Sequence, residues 1–538
     1  MSTLSYIRIL FSIALALGSV SCKPAEVIDA PEHPVQLQAP SHIWFERISD
    51  SMLKVSWRSD TASVASYIIY NGEEKIGTAS NTVSEYVITS GLALGDTYQI
   101  GICAEPSDEH HVASEIGYSE YKMVPKADIP SSSIESVNST AAALAFSVRI
   151  RNVAACANPE FGICWCERGV GDPTMEDNYL AGPAIPESGP VLQVIPNTCL
   201  DYGKEYSSRV FIRTDEGVYY GETEDVSLGD GPEAIVLDWT KYDSSAIPAE
   251  IEVYGTTSKL NGRNFRAWYA ICDLQHSDIE LRTNIPNSVA TIDDQSASFY
   301  GDCYLLVNGG YFAAGEHTGI AINDYIVTGS ISNARGSIDP SDKENNERYP
   351  TTRGIFGVDD VGRPSAMWAA GSAPQYFASP MPSVKGEQKY PMNVSEWESA
   401  NKVDWSPRAA ISAGPLLLKN GKCPFDFTST PRGGNYYYSN YEFIADDIFG
   451  SDVYCDRTAI GCTAEGKTVI FICDGRISAS RGATLLELAM IMKGIGCTDA
   501  LNLDGGGSTG MMVGTTHVGD ITGGNRKVKS TVGFFRKK

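Results

Sequence analysis

The sequence predicts a multidomain chain, two all-β sandwiches followed by an α+β domain on a mixed sheet. Three observations predict it. The chain has 538 residues, enough for three or four domains at roughly 150 residues each. Short alternating runs, broken by Gly, Asn, Asp and Ser, recur between residues 41 and 228. Beyond Gly229-Asp230-Gly231-Pro232 they give way to longer apolar strands with one clear helix.

With 42% hydrophobic and 20% charged residues, the chain is neither disordered nor fibrous in type. Lys and Arg total 42 against 66 Asp and Glu, a formal net charge of −24. That balance repels nucleic acid and anionic membrane surfaces, so a nucleic-acid wrapper is excluded. It does not exclude a local basic pocket for one anionic substrate.

Arg8 precedes an apolar run from Ile9 to Leu17, then Gly18-Ser19-Val20-Ser21-Cys22. A charged start, a short apolar core and small residues describe a secretory leader. The run falls short of the ~20 apolar residues that span a bilayer. Small residues ending at a cysteine resemble a bacterial lipobox. Residues 1–22 are therefore expected to be a lipoprotein signal peptide that leaves Cys22 lipidated. Residues 23–40, with Pro24, Pro31, Pro34 and Pro40, form an extended spacer. The expected location is extracytoplasmic, at the periplasmic face or surface of a bacterial membrane, with the lipid anchor as the sole membrane contact. Of thirteen cysteines, Cys22 set aside leaves twelve. In an oxidising compartment some can pair, though buried free thiols are equally consistent, and the spacings lack paired C-x-x-C zinc knuckles.

Within residues 41–126, Leu53 to Trp57 and Ser66 to Tyr70 read as strands, the second closed by the hairpin signal Asn71-Gly72. Leu92 precedes Tyr98 by six residues at the start of a later strand. Residues 127–228 repeat the plan, with Leu144 to Val148, the Leu200-to-Tyr206 spacing, and a hairpin of Arg209–Arg213 with Gly217–Gly221. An early Trp and a late Tyr whose hydroxyl closes the preceding turn resemble the immunoglobulin/fibronectin type III sandwich. Two spacer modules are the simplest use.

Residues 232–538 carry the chemistry. Lys467 to Cys473 is a near-continuous apolar strand, as expected when both faces are buried. It ends at Asp474-Gly475-Arg476. Ser478 and Ser480 are placed to cap a helix running from Ala483, with Leu485, Leu488, Ala489 and Met492 on one face. A second strand, Ala500 to Leu503, ends at Asp504-Gly505-Gly506-Gly507-Ser508. Strand, helix, strand in this order predicts parallel strands, which bring Asp474 and Asp504 to one sheet edge. The helix amino end and the glycines at 505–507 would offer amides to an anion there. Leu305 to Val307 runs into Asn308-Gly309-Gly310-Tyr311-Phe312, and Arg408 opens a small-residue strand that reaches Gly414. Glu316 and His317 are secondary candidates for lining a pocket, the polar stretch Gly336–Pro350 reads as a mobile loop that could serve as a lid, and the aromatics Tyr436, Tyr437, Tyr438 and Tyr441 are candidates for stacking on sugar rings or for packing. Glu487 is assigned to the helix surface or to a buried hydrogen bond.

Asn308-Gly309-Gly310-Tyr311-Phe312, Arg408 with Gly414, Asp474-Gly475-Arg476 and Asn502-Leu503-Asp504-Gly505-Gly506-Gly507-Ser508, in that order, resemble the phosphodiester glycosidase family. The likeness covers about residues 250 to 538. It implies hydrolysis of a sugar-1-phosphodiester of the N-acetylglucosamine-1-phosphate type, releasing free sugar and a phosphomonoester. The resemblance makes Asp504 and Asp474 the catalytic carboxylates. Arg408 and Arg476 would hold the phosphate, and Asn308, Gly309, Gly310, Gly505, Gly506 and Ser480 would orient substrate oxygens. No cofactor is required, and a divalent cation between the carboxylates is a secondary candidate. The expected partner is a sugar-phosphate or glycan. The rival readings are a phosphodiesterase that cuts the P–O bond and a glycan-binding lipoprotein without turnover.

Overall fold

The computed structural model describes residues 34–125, 128–182, 185–299, 301–331, 334–335, 348–349, 352–381, 403–424, 442, 453–519 and 526–538. The leader with Cys22, nearly all of Gly336–Pro350, and Tyr436, Tyr437, Tyr438 and Tyr441 lie outside these residues.

The first repeat contains two sheets, one ordered Ser41–Ser49, Met52–Arg58, Glu85–Ile88, the other Glu74–Ser80, Val64–Asn71, Thr97–Pro106, Gly117–Lys122. The four-stranded sheet falls largely in one compact unit, within Ser56–Tyr86 and Tyr98–Ser119; everything from Glu120 onward belongs to the other. The hairpin turn sits where Asn71-Gly72 placed it, with Asn71 opposite Glu74 and Gly72 at φ 58°. The second repeat pairs Ser131–Ser139, Ala143–Arg151 and Val191–Pro196 in one sheet. Its other sheet is ordered Asn178–Ala181, Glu160–Glu167, Glu205–Thr214, Gly217–Tyr220, with Glu224–Ser227 also on Glu205–Thr214. The Tyr206 hydroxyl accepts from the Asp201 amide at 2.8 Å, the corner bond that the Leu-to-Tyr spacing predicted.

In the C-terminal region we label the elements that position the site: β1 Ala267–Cys272, α1 Ile292–Ala297, β2 Cys303–Asn308, β3 Ala409–Ser412, β4 Arg457–Thr463, β5 Thr468–Cys473, α2 Leu485–Ile495, β6 Cys497–Asn502, β7 Met511–Val513 and β8 Thr531–Arg536. A seven-stranded sheet runs Thr240–Tyr242, Ile251–Thr256, β1, β5, β4, β6, Leu416–Leu418. A second sheet runs Ile279–Asn284, β8, β2, β7, Thr516–Val518, and a third carries β3 between Ile320–Asn323 and Arg353–Val358. Side chains of all three meet in one core that includes Ile470, Ile472, Leu501, Val307, Phe534, Ile411 and Trp368. On the other face of β5, Val469, Phe471 and Cys473 pack against Leu485, Leu488 and Met492 of α2. Burial on both faces is what the unbroken apolar run of β5 required.

This architecture corrects the expectation of a mixed sheet. Every described pairing in the three sheets is antiparallel. β5 and β6 do run in the same direction, but they are not neighbours. β4 lies between them and is antiparallel to both, pairing Arg457 with Cys473 and Ala459 with Asn502. α2 therefore crosses over a hairpin strand, a split β-α-β unit. Helix in this region is confined to α1, α2 and one 3-10 turn at Gly506–Ser508 among the described residues, which makes the region mostly β.

The start of α2 is corrected as well. Its N-cap is Thr484, whose side chain accepts from the Glu487 amide at 3.1 Å, while Glu487 accepts from the Thr484 amide at 3.0 Å. This capping box uses Glu487 as a buried hydrogen-bonding group and leaves Ser480 for another task. Gly496, at φ 105°, ends the helix.

Candidate active site

Three aspartates converge at one edge of the seven-stranded sheet. Asp474 follows the carboxyl end of β5 and Asp504 follows that of β6, as the crossover predicted. Between them, at the amino end of antiparallel β4, stands Asp456, which sequence reasoning missed. Its backbone is wedged between the two Asp-Gly corners. A Cβ on Gly475 would lie 2.3 Å from the Asp456 nitrogen, and one on Gly505 would lie 2.8 Å from the Asp456 oxygen. The Gly506 amide then donates to that same oxygen at 2.9 Å. Gly475 and Gly505 thus make room for Asp456, and Gly506 holds φ 61°, so all three are accounted for without a ligand.

The environments of the three carboxylates differ. Asp474 is buried and ion-paired with Arg266, whose guanidinium also lies over Trp268. Asp456 is buried and pairs with Arg476 Nε at 2.9 Å. Asp504 has no arginine at contact distance among the described residues. It accepts from the Gly505 amide at 2.9 Å, and burial pushes its carboxyl above the usual carboxylate range, opposed by that amide and by the charge of Arg526. Arg526 itself stacks over Phe312, 5.6 Å from the ring centre. Neither Asp456 nor Arg526 was found from sequence. The visible signals were a second acid-base doublet, Asp456-Arg457, ahead of a strand, and Arg526-Lys527 in an acidic chain.

Arg476 is brought to the cluster. It holds φ 58°, unusual for a side chain with a Cβ, and its guanidinium lies 3.3 Å from the position of a Cβ on Gly506. Arg408 is not brought there. It sits at the opposite end of β3 from Ser412, about 13 Å away along an extended strand, bonded to Glu280 at 2.6 Å and Asp324 at 3.1 Å. Asn308 is fully buried and acts as a tie. Its amide donates to the Asp504 carbonyl at 2.6 Å, and its oxygen accepts from Thr458 at 2.7 Å and from the Gly510 amide at 3.3 Å. Gly309 accepts from the Asp504 amide at 3.0 Å, and a Cβ on Gly310 would strike the Ser412 carbonyl at 2.3 Å. Ser480 is buried, donating to the Asp474 carbonyl at 2.7 Å and accepting from the Arg266 amide at 3.1 Å. These four residues position Asp504 and Asp474 rather than face open space. The predicted helix-end anion site does not form as drawn, because the capping box already occupies donors of α2.

Behind Asp504 lies Tyr311. Its hydroxyl donates to the Gly414 carbonyl at 2.6 Å and accepts from Asn502 at 2.9 Å. The adjoining hairpin, Phe312–Ala313 against Glu316–His317, carries His317 against Gly310 and Gly319. Burial drives the His317 imidazole down to about 4, opposed by a backbone hydrogen bond with Ile320 and helped by the charge of Lys529. Glu316 is exposed and lies 3.5 Å from Lys529. Glu442 is a further buried acid, its carboxylate filled by the amides of Gly354 and Leu416 and by the Trp368 indole. No group of three or more His, Cys, Asp or Glu able to hold a metal ion occurs among the described residues, and the twelve cysteines from Cys103 to Cys497 are free thiols.

Three aspartates with the guanidinium groups of Arg266 and Arg476 thus form a carboxylate cluster at this edge. Residues 301–535 match the sequence profile of the phosphodiester glycosidases, and this region is a phosphodiester glycosidase domain. It contains Asp456, Asp474, Asp504, Arg476 and Arg526. Among solved structures, the chain is similar to the zebrafish N-acetylglucosamine-1-phosphodiester alpha-N-acetylglucosaminidase catalytic domain auto-inhibited by its pro-peptide. Identity there is 16%, over 56% of this chain and 89% of that one, with a TM-score of 0.34. A hypothetical protein from Synechocystis aligns at 11% identity over 93% of this chain and 92% of that one, TM-score 0.34. Fibronectin(III)-like modules from Clostridium thermocellum align at 14% over 37% of this chain and 90% of that one, TM-score 0.14. These superpositions are loose and carry no functional weight. The chain has no match among curated protein sequences.

Proposed function

We propose that the chain is a glycosidase that hydrolyses a sugar-1-phosphodiester, of the N-acetylglucosamine-1-phosphate type, in a glycan or glycoconjugate. The observation that carries this reading is Asp504. In a phosphodiester glycosidase domain it alone of three converging aspartates lacks an arginine at contact distance among the described residues, and burial raises its pKa.

In the reaction, the bond between the anomeric carbon and the phosphate oxygen breaks and the phosphate leaves with the electron pair. A water oxygen bonds to the sugar, and the water proton ends on the phosphomonoester or on solvent. The carboxylate of Asp504 supports the oxocarbenium-like centre or takes the water proton. Arg476 would hold the leaving phosphate, with Arg526 adding charge from the Phe312 side. Asp474 and Asp456 keep Arg266 and Arg476 in place. Their ion pairs cast both as positioning residues, and this reassigns Asp474 from the pair of catalytic carboxylates.

We further propose that the protein is tethered outside the cytoplasm through a lipidated Cys22, with the two β modules as spacers. The deciding experiment incubates the protein with a panel of nucleotide-sugars and methyl-phospho-sugars, beside Asp504→Asn and Arg476→Ala and a chelator control. Free reducing sugar, lost in Asp504→Asn, supports the glycosidase. Sugar-1-phosphate as product would instead make it a phosphodiesterase. Binding without any product would leave a glycan-binding lipoprotein. Loss of activity on chelation would add a divalent cation.

A further inference from the structure

One tight hairpin beyond Asp474 carries two arginines at its ends. The Arg476 amide donates to the Arg481 carbonyl at 3.2 Å, and Ile477 and Ser480 exchange backbone bonds at 3.0 and 3.1 Å. Arg476 reaches towards Gly506 and the catalytic edge. The Arg481 guanidinium lies 4.3 Å from the ring centre of Tyr454. The same ring carries Arg263 at 4.4 Å. The Arg481 amide also donates to the Asn264 carbonyl at 3.0 Å, which joins this hairpin to the Arg263 segment.

The charges along this strip do not balance. Arg263 is paired with Glu487 and Arg476 with Asp456. Arg481 is exposed and has no carboxylate partner among the described residues. Two guanidinium groups on one tyrosine with a single carboxylate between them leave a net positive charge in a chain whose total is −24. Guanidinium groups over an aromatic face, with one fork unfilled, suit a phosphate or carboxylate.

We infer that the strip from Gly506 through Arg476 and Arg481 to Tyr454 and Arg263 is the leaving-group subsite, and that it takes an acceptor bearing a second negative charge beyond the scissile phosphate. This rests on the proposed function for the location of the scissile bond. The acceptor class is then a phosphorylated or carboxylated alcohol, not a neutral one.

The test compares kcat/KM for two diesters of the same sugar, one with methanol and one with glycerol phosphate as acceptor. Wild type should prefer the glycerol phosphate diester, and the preference ratio should fall about tenfold in Arg481→Gln, the effect of one charge-assisted bond. Arg481→Lys should restore part of the ratio, and added salt should erode it. An unchanged ratio in Arg481→Gln overturns the inference. If wild type hydrolyses neither diester, the proposed function fails separately. Calorimetric binding of inorganic tripolyphosphate to wild type and Arg481→Gln then reads the subsite alone. About tenfold weaker binding in the variant supports it, and equal binding overturns it.

Discussion

Asp504 and His317 are both half-buried titratable groups, yet desolvation moves them in opposite directions because their charged forms have opposite sign. For Asp504 the folded pKa lies above its ordinary value, so ionising it costs stability as pH rises through that pKa. Asp504→Asn should therefore melt at or above the wild-type temperature at pH 7, an advantage that disappears in acid, while hydrolysis falls by about 10²–10⁴-fold. A matched loss of stability and activity would instead make Asp504 a structural residue. For His317 the folded pKa is lowered to about 4 from 6.5. The stability due to its neutral form is complete above 6.5 and is lost as pH falls towards 4, on the order of 3 kcal/mol in full. Urea titrations across that window should show His317→Gln losing less stability than wild type. The residues read from motifs divide at this scale. Asp504, Asp474, Arg476, Gly505 and Gly506 come together, whereas Arg408 is neutralised by Glu280 and Asp324 at the far end of β3. An arginine before a strand looks the same in sequence whether it meets a phosphate or a carboxylate.

The element that organises the site is β4. Its sequence, Arg-Thr-Ala-Ile-Gly-Cys-Thr, has no long apolar run, although all seven residues are buried. Thr458 spends its hydroxyl on Asn308, so polar residues are satisfied inside and the hydropathy signal is lost. For that reason the two flanking strands were legible and the one between them was not. Insertion of β4 puts Asp456 against both Asp-Gly corners and gives the paired glycines a steric explanation. Gly475→Ala should displace Asp456 and loosen its hold on Arg476, at a cost of roughly 1–3 kcal/mol. Because the displaced group is the partner of Arg476, the loss in kcat/KM should exceed that of Thr484→Ala, which removes the helix cap at the start of α2, worth about 1 kcal/mol. Equal activity losses in the two variants, measured at matched stability, would separate Asp456 from the site.

At the scale of the whole molecule, charge and tethering pull on function in different ways. A total of −24 keeps the protein away from anionic surfaces, while Arg266, Arg476, Arg481 and Arg526 gather near one sheet edge. A lipid anchor at Cys22 would hold such a body at a membrane it does not otherwise favour. Cys22→Ala should release the protein into the soluble fraction with its hydrolytic activity intact, measured by fractionation and assay; continued membrane association would end the anchor reading. Sequence alone determined the two β repeats, the Leu-to-Tyr corner of the second, the doubly buried β5, the crossover helix and the convergence of Asp474 with Asp504. Each of these depends on local periodicity or on short motifs, where neighbouring residues carry the signal. Tertiary structure alone decided that β4 enters between β5 and β6, that Arg266 and Arg476 neutralise two of three aspartates, and that Arg408 lies elsewhere. Those outcomes depend on which distant groups meet in a low-dielectric interior, and a linear pattern holds no record of that.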